Sequence, residues 1–432
     1  MDLVAIILCW TLTVQIALRK QHLTCMFVYC LVSTISLTIL FLNFNGLLIY
    51  EDYVGMPIAY DYERSDYYIT LGIVIPQIIA SYMLCTVVFR RNSFSFIKVR
   101  QFLKSNLAKV TKFGYFIVVF ILSFLLLAAL AHFIDIDKAL FWANGEYLLL
   151  VQPERVGLSN GFTAAIHHVS GLLSVLALYY CFFCYSRKRR LFSFLFFTVF
   201  FYFFLLKVAQ LSRWGFLISA SFVFFFYVFA NMKKINNILF FAIMIVFTWL
   251  MYNIPIAGRG SSLQGLSGFF HHLVNIETDV SYNLELLYFF FSNVFGGHFV
   301  TVNAVGMPAN YPVLFKVLSF SFLPSAIDGF HSVKQHYHFV NQYVPFNVYA
   351  ELYHFGYAYY FLFLGLFSYF QYYISKLYIK RDYLPYVLLL SCFTFVTFFM
   401  QYYGLRNCWR FLVIPLILVA IFKIIKRSKK RD

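Results

Sequence analysis

Five cations stand out because they interrupt apolar sequence and could bind phosphate. Lys207 and Arg213 lie in one short polar stretch, Arg259 lies between two glycines, and Arg406 and Arg410 precede the last apolar run. A guanidinium group presents a planar pair of N–H donors that matches two phosphate oxygens. We therefore expect Lys207, Arg213, Arg259 and Arg410 to bind a diphosphate. The alternative is that each side chain only extends its charged end to water.

Three side chains are candidates for the base that such chemistry requires. Glu351 lies in Glu351-Leu-Tyr-His-Phe355-Gly356, and His331 and His338 lie in a histidine-rich stretch that begins at Asp328. Histidine and carboxylate side chains are the usual general bases. The His-x-His and His-x4-His spacings in this stretch predict no metal site without a third well-placed ligand. We expect neither a metal nor another cofactor.

The composition indicates the class of protein that positions these residues. The 432-residue chain is 62% hydrophobic and 12% charged. Its apolar runs of roughly 20 residues match a hydrocarbon layer about 30 Å thick, and helices satisfy their own backbone hydrogen bonds there. We predict an all-α polytopic membrane protein forming a single membrane domain over 1–432. Its predicted spans lie at about 3–18, 24–49, 67–89, 113–133, 163–186, 191–207, 214–231, 236–255, 350–375, 384–403 and 411–425.

Charge alternates between the loops that join these spans. One set of loops holds 24 of the 34 basic residues, and the other holds 15 of the 17 acidic residues. Because cytoplasmic loops are enriched in Lys and Arg, the N-terminus is predicted outside and the C-terminus inside. Only Met1 and Asp2 precede the first span, so we do not expect a cleaved signal peptide. The cations are spread over six loops, and nucleic acid is therefore not an expected partner.

The largest outer loop, 256–349, is far longer than a connection requires. Its apolar stretches Leu286 to Val300 and Pro312 to Leu323 are short for spans and predict interfacial or re-entrant helices. We expect this loop to form a cap over a site at the edge of the bilayer. No Asp, Glu, Lys or Arg lies near the middle of a predicted span. This argues against an ion-coupled transporter.

Two local motifs and this layout resemble a known family over nearly the whole chain. The motifs are Gln210-Leu-Ser-Arg213-Trp-Gly-Phe-Leu and Pro345-Phe-Asn347-Val-Tyr-Ala-Glu351-Leu-Tyr-His-Phe-Gly356, which closes the long loop. Together they resemble bacterial oligosaccharide repeat-unit polymerases, the O-antigen polymerases of the Wzy type.

The resemblance implies a glycosyltransferase of the GT-C class in the bacterial inner membrane. Its substrates would be undecaprenyl-diphosphate-linked oligosaccharides at the periplasmic face, and a chain-length regulator protein is a possible partner beside the lipid bilayer. Arg213 matches the family's arginine, and Arg259 is the second candidate. Related O-antigen ligases carry His-Asn before a glycine, whereas this chain has Phe346-Asn347, and Glu351 fits the polymerase version better.

Two alternatives remain open. An O-antigen ligase performs the same transfer onto a lipid A core, and the missing His-Asn pair disfavours it. A lipid-linked oligosaccharide flippase or exporter would need no catalytic base, and the uncharged span interiors together with the large outer loop disfavour it.

Overall fold

The computed structural model describes residues 2–19, 24–47, 63–89, 98–99, 101–102, 113–137, 142, 161–210, 218–219, 221–222, 225, 265–275, 296–323, 325–341 and 344–428. These residues are almost entirely helical, which confirms the predicted helical class. They form two compact units. Unit 1 comprises Met1–Val99 and Phe291–Asp432, and unit 2 comprises Arg100–Phe290.

The helices and strands follow one another along the chain in this order. They are α1 (Asp2–Leu18), α2 (Cys25–Phe44), α3 (Arg64–Val88), α4 (Phe113–Asp135), α5 (Gly161–Ser186), α6 (Arg190–Ala209), α7 (Gly265–Val274), α8 (Gly297–Gly306), α9 (Val313–Ser319), α10 (Ser325–Asp328), a 3-10 helix (Phe330–His336), β1 (Phe339–Asn341), β2 (Val344–Pro345), α11 (Val348–Phe355), α12 (Tyr357–Ile379), α13 (Tyr383–Phe399) and α14 (Leu405–Ser428). The two strands pair antiparallel, with Phe339 opposite Pro345.

Five of the described helices are long and apolar enough to cross a membrane. They are α2, α3 and α6, with the parts of α4 and α5 at Val118–Asp135 and Val169–Ser186. The predicted spans at 214–231 and 236–255 lie largely outside the described residues. The structure is thus that of a helical protein with membrane-spanning character, and the total of about eleven spans stays a prediction.

The span predicted over 350–375 is wrong as a single helix. The chain forms α11, ends it at Phe355, turns at Gly356 and starts α12 at Tyr357. Gly356 has φ of 96°, a conformation that glycine adopts without steric penalty. Lys316 donates from Nζ to the Phe355 carbonyl at 3.2 Å and so satisfies a free carbonyl at the end of α11. Glu351 therefore lies in a short helix, outside the long apolar one.

Short helices do occur within the predicted loop 256–349, but their limits differ from the prediction. The structure has α8 at Gly297–Gly306 and α9 at Val313–Ser319. The pair Gly296-Gly297 lies at the start of α8, with Gly296 as its N-cap residue. A Cβ atom on Gly297 would lie 2.1 Å from the Cβ atom of Gln401. Glycine is required here because two segments approach closely.

Polar side chains link the long helices of unit 1. The Tyr29 hydroxyl of α2 donates to Gln77 Oε1 of α3 at 2.7 Å. Gln371 of α12 donates to the Ser81 hydroxyl of α3 at 2.9 Å. Such bonds between apolar helices fix their rotation relative to one another, because the alternative is an unpaired polar group. They hold in place the frame on which α11 and α14 pack.

Unit 2 packs α4, α5 and α6 around a core that includes Phe196 and Phe203, and α7 packs against the end of α6. The helix α6 extends to Ala209, two residues beyond the predicted span 191–207, and Lys207 is buried in its last turn.

Candidate functional site

Asn347 fixes the start of α11 and ties it to two other segments of unit 1. Its Oδ1 accepts a hydrogen bond from the Ala350 backbone N–H at 3.0 Å, which makes it the N-cap residue. Its buried Nδ2 donates to the carbonyl oxygens of Gly297 and Gln401, at 3.0 and 2.9 Å. The helix is thus anchored where α8 meets the turn between α13 and α14. Side chains one turn later have fixed positions.

Glu351 lies one turn after Asn347, and its carboxyl group is buried against the first residue of α14. Its Oε2 accepts a hydrogen bond from the Leu405 N–H at 2.6 Å. A Cβ atom on residue 404 would lie 2.7 Å from Oε1, so Gly404 leaves room for the carboxyl group. Burial raises the pKa of Glu351 to about 8, and the bond from Leu405 opposes the shift only in part.

This arrangement gives Glu351 two separable roles. A carboxyl group at a helix N-terminus satisfies one of the free backbone N–H groups and caps α14. A carboxyl group with a pKa near neutrality also exchanges a proton readily. Glutamine keeps an oxygen for the Leu405 N–H but cannot take up a proton. The Glu351→Gln variant therefore separates the two roles.

Two tyrosines lie near this carboxyl group. Burial, and next the charge of Glu351, raise the pKa of both Tyr311 and Tyr337, the latter to about 12. The Tyr311 hydroxyl is buried and has no hydrogen-bond partner among the described residues. The ring of His338 lies edge-on to Tyr311, with 4.8 Å between ring centroids. The charge of Glu351 and the ring of His338 thus both act on Tyr311.

Arg406 has an ion-pair partner and several further contacts. Its Nη2 lies 3.0 and 2.7 Å from the two carboxylate oxygens of Asp328, and both side chains are buried. It also donates to the carbonyl oxygens of Leu318 and Leu323, and its guanidinium carbon lies 3.9 Å from the ring centroid of Phe330. These contacts tie the segment 318–330 to α14. The role of Arg406 is structural.

Arg410 lies one turn further along the same face of α14 and is only partly buried. It donates to the Leu323 carbonyl and approaches the Ser325 hydroxyl at 3.4 Å. Within the part of the chain that the structure describes, Arg410 forms no ion pair, and its Nε, like that of Arg406, has no acceptor. Its positive charge opposes the rise in the Tyr337 pKa, as that of Arg406 does. Arg410 is thus the arginine of this corner that lacks a carboxylate partner among the described residues.

The structure brings together some of the residues singled out in the sequence. Glu351, His338 and Arg410 all lie in unit 1, His338 packs against Tyr311, and the charges of Glu351 and Arg410 both act on the pKa of Tyr337. His331 is exposed on the 3-10 helix, and no contact described in the structure joins it to Glu351. Lys207 belongs to unit 2. Arg213 and Arg259 lie outside the described residues.

The two tyrosines were missed by the sequence reasoning. With 34 tyrosines in the chain, residue type alone gives no signal. For Tyr337 a weak signal did exist, because it stands between His336 and His338 in the stretch already selected. For Tyr311 none did, because its position beside Glu351 depends on how the loop folds.

A metal site would require several ligands at one place. Among the described residues, no group of three or more His, Cys, Asp or Glu side chains is arranged to hold a metal ion. Comparison with known proteins gives no family for the chain: no family model, no curated protein and no solved structure matches it.

Proposed function

We propose that this chain is a membrane glycosyltransferase that polymerises undecaprenyl-diphosphate-linked oligosaccharide repeat units of an O-antigen or a similar surface polysaccharide. It acts at the periplasmic face of the bacterial inner membrane, with its N-terminus periplasmic and its C-terminus cytoplasmic. Its spans form a GT-C-like fold, and the loop 256–349 caps the site. A chain-length regulator in the same membrane is its expected protein partner.

The observation that carries this proposal is a buried carboxyl group with a raised pKa, Glu351, in the unit that also holds Arg410, an arginine without an ion-pair partner among the described residues. In the reaction, the acceptor hydroxyl oxygen bonds to the anomeric carbon of the growing chain, and the bond from that carbon to the diphosphate breaks. The electron pair leaves with the diphosphate, and the hydroxyl proton passes to Glu351. A carboxylate with a pKa of about 8 is a stronger base than an ordinary glutamate.

The departing diphosphate requires cationic donors. Negative charge grows on the leaving group while the sugar gains oxocarbenium character. Arg410 is the candidate donor in unit 1. The family resemblance matches Arg213, with Arg259 as the second candidate, and the residue pattern adds Lys207. Donors that are held in place before the reaction stabilise such charge at little reorganisation cost.

His338 and His331 are the other candidate bases. His338 approaches the Glu351 group through Tyr311, and its Nε2 lies 3.4 Å from the Asn310 carbonyl oxygen. His331 is exposed, so it is suited to contact an acceptor sugar outside the buried cluster. The base is the residue whose loss removes activity while the protein remains folded.

The test is complementation of a strain that lacks the gene. Plasmids carry wild type, Glu351→Gln, His331→Ala, His338→Ala, Arg410→Ala, Arg213→Ala or Arg259→Ala, and the surface polysaccharide is separated on a gel. We expect wild type to restore a ladder and Glu351→Gln to leave core with a single repeat unit. Exposed Glu63 provides the matched control, since Glu63→Gln should keep the ladder.

Each contrary outcome identifies another function. Loss of all capped core in the deletion strain would indicate a ligase. Lipid-linked units that accumulate on the cytoplasmic side would indicate a flippase. A ladder that persists after deletion, or a normal ladder from well-expressed Glu351→Gln and both histidine variants, would contradict the proposed mechanism.

A further inference from the structure

Unit 2 contains a continuous line of hydrogen-bonded side chains across three apolar helices. The Tyr202 hydroxyl lies 2.6 Å from His132 Nδ1, and His132 Nε2 lies 3.0 Å from His167 Nδ1. His167 Nε2 lies 2.7 Å from Gln210 Nε2, and Lys207 Nζ lies 2.7 Å from Gln210 Oε1. Four of these side chains are at most 5% exposed: His132, His167, Gln210 and Lys207.

The chemistry of the lysine fixes the direction of every bond in this line. An ammonium group only donates, so Gln210 must present its oxygen to Lys207 and its NH₂ group to His167. His167 Nε2 then accepts, and the ring hydrogen is on Nδ1, from which it donates to His132 Nε2. By the same argument, His132 carries its hydrogen on Nδ1 and donates to Tyr202. Both histidines are neutral in this arrangement.

Protonation of either histidine reverses the hydrogen bond between His167 and Gln210. A charged His167 would present Nε2–H to the Gln210 NH₂ group, which is a clash of donors. A charged His132 would present Nε2–H to His167, whose hydrogen must then move to its own Nε2 and face Gln210. In both cases Gln210 relieves the clash by turning its oxygen to His167. Lys207 then loses its nearest acceptor.

Lys207 is poorly compensated even before that change. Its other acceptor is the His167 carbonyl at 3.4 Å, and it lies in the last turn of α6, where the helix dipole favours a cation. In the described part of the chain no carboxylate forms an ion pair with it. A buried ammonium group without a counter-charge is unfavourable, so an anion would be bound strongly here.

We propose that Lys207 is an anion-binding site that opens when the His132–His167 pair takes up a proton. The ligand is a phosphate oxygen, either of a lipid-linked diphosphate or of free diphosphate. Proton uptake adds a second positive charge beside Lys207 and removes its bond to Gln210, and both effects favour the anion. The inference rests on the proposed function and deepens it, because it makes the binding of diphosphate by Lys207 depend on protonation of the two histidines.

Other titratable groups lie on the helices that surround this line. On α4, Asp135 accepts a hydrogen bond from Thr163 of α5 and lies three residues from His132. On α7, which packs against α6, His271 is exposed and His272 is buried. These groups adjust the pH at which the gate opens but leave the direction of the line unchanged.

The first test determines which ring nitrogen carries the hydrogen. The full-length protein, labelled with ¹⁵N-histidine and placed in lipid nanodiscs, is examined by NMR, with His132→Gln and His167→Gln used for assignment. At neutral pH we expect both rings to be neutral with the hydrogen on Nδ1. A hydrogen on Nε2 of His167 in wild type would overturn the proposal.

A single substitution should reverse the direction of the hydrogen bonds made by His167 and His132. In Gln210→Glu, the carboxylate accepts from Lys207 and His167 alike, so His167 should carry its hydrogen on Nε2. His132 should then also carry its hydrogen on Nε2, because His167 Nδ1 has become an acceptor. Gln210→Leu is the matched control that removes the link without supplying an acceptor. Unchanged ring hydrogens in Gln210→Glu would contradict the proposed coupling.

The second test measures anion binding by titration at several pH values. Inorganic diphosphate is one probe, and a polyprenyl diphosphate in the nanodisc is the other, which distinguishes the two sources. We expect affinity to rise as pH falls through the histidine titration, by up to about tenfold per pH unit. Lys207→Met should abolish the pH-dependent part, and Gln210→Glu should abolish the gate. Binding that is independent of both pH and Lys207 would overturn the proposal.

These outcomes are separable from failure of the proposed function. If Glu351→Gln makes a normal ladder while Lys207 still binds diphosphate more tightly at low pH, the glycosyltransferase proposal fails and the gated anion site stands. If the ladder depends on Glu351 but the histidine hydrogens are on Nε2, the proposed anion site is refuted and the glycosyltransferase proposal stands.

Discussion

The two units each bury a cationic side chain, and the two cations differ in their partners. In unit 1, Arg406 has a carboxylate partner, two carbonyl acceptors and an aromatic ring. In unit 2, Lys207 has one amide oxygen and one distant carbonyl oxygen among the described residues. A charge with an ion-pair partner stabilises one conformation, whereas a charge without one is available for a ligand. Residues that look alike in sequence can therefore be assigned by their partners.

The largest expected effect comes from breaking the complete pair. Arg406→Leu leaves Asp328 buried without its partner, and the loss of a buried ion-pair partner costs about 3–5 kcal/mol. We expect a lower midpoint of thermal unfolding in detergent and reduced membrane expression. The double variant with Asp328→Leu should recover part of the loss. A stability equal to wild type in Arg406→Leu would refute the structural role.

Arg410→Ala tests the neighbouring arginine that is incompletely paired. Losing one donor to a developing negative charge costs about 10²–10³-fold in rate. We therefore expect polymer to be lost at nearly normal stability, the opposite of Arg406→Leu. Arg410→Lys should restore little if two N–H groups bind one phosphate, and Arg64→Ala on the exposed start of α3 is the control. Equal polymer in Arg410→Ala and wild type would remove Arg410 from the site.

Glu351 makes stability depend on pH. Its pKa in the folded protein, about 8, lies above the ordinary value of 4.5, so its contribution is complete below about pH 4.5 and lost as pH rises through 8. Each pKa unit between these two values corresponds to about 1.4 kcal/mol of stability. Glu351→Gln should abolish this loss while retaining the bond to Leu405. Thermal unfolding of both proteins between pH 5 and 9 tests this, and parallel curves would show that Glu351 titrates normally.

The smallest effect is expected for Lys207→Met. Removing a buried ammonium group with no carboxylate partner relieves a desolvation cost, while Gln210 loses one hydrogen bond worth about 1 kcal/mol. The two changes nearly cancel, so the free energy of unfolding at pH 8 should change by less than about 1 kcal/mol. A loss as large as that of Arg406→Leu would mean that Lys207 is a structural residue, and the contrast between the units would disappear.

Part of the candidate site was predictable from sequence. Glu351, His338 and Arg410 were selected by residue type and position, and all three lie in unit 1 with Tyr311 and Tyr337. Sequence could not separate Arg406 from Arg410, which have the same type and lie one turn apart. Their difference depends on Asp328, whose distance along the chain from Arg406 is 78 residues.

The sequence by itself determined the helical class and the position of most described helices. Helix formation depends on local hydrogen bonds and on the length of apolar runs, and both are visible in the residue order. Asn347 and Gly356 likewise mark their boundaries by local chemistry. The tertiary structure decided which polar groups meet. The link between His132 and His167 spans 35 residues and lies between two helices, so it depends on how those helices pack and rotate. For the same reason, only the folded chain distinguishes the paired Arg406 from the available Lys207.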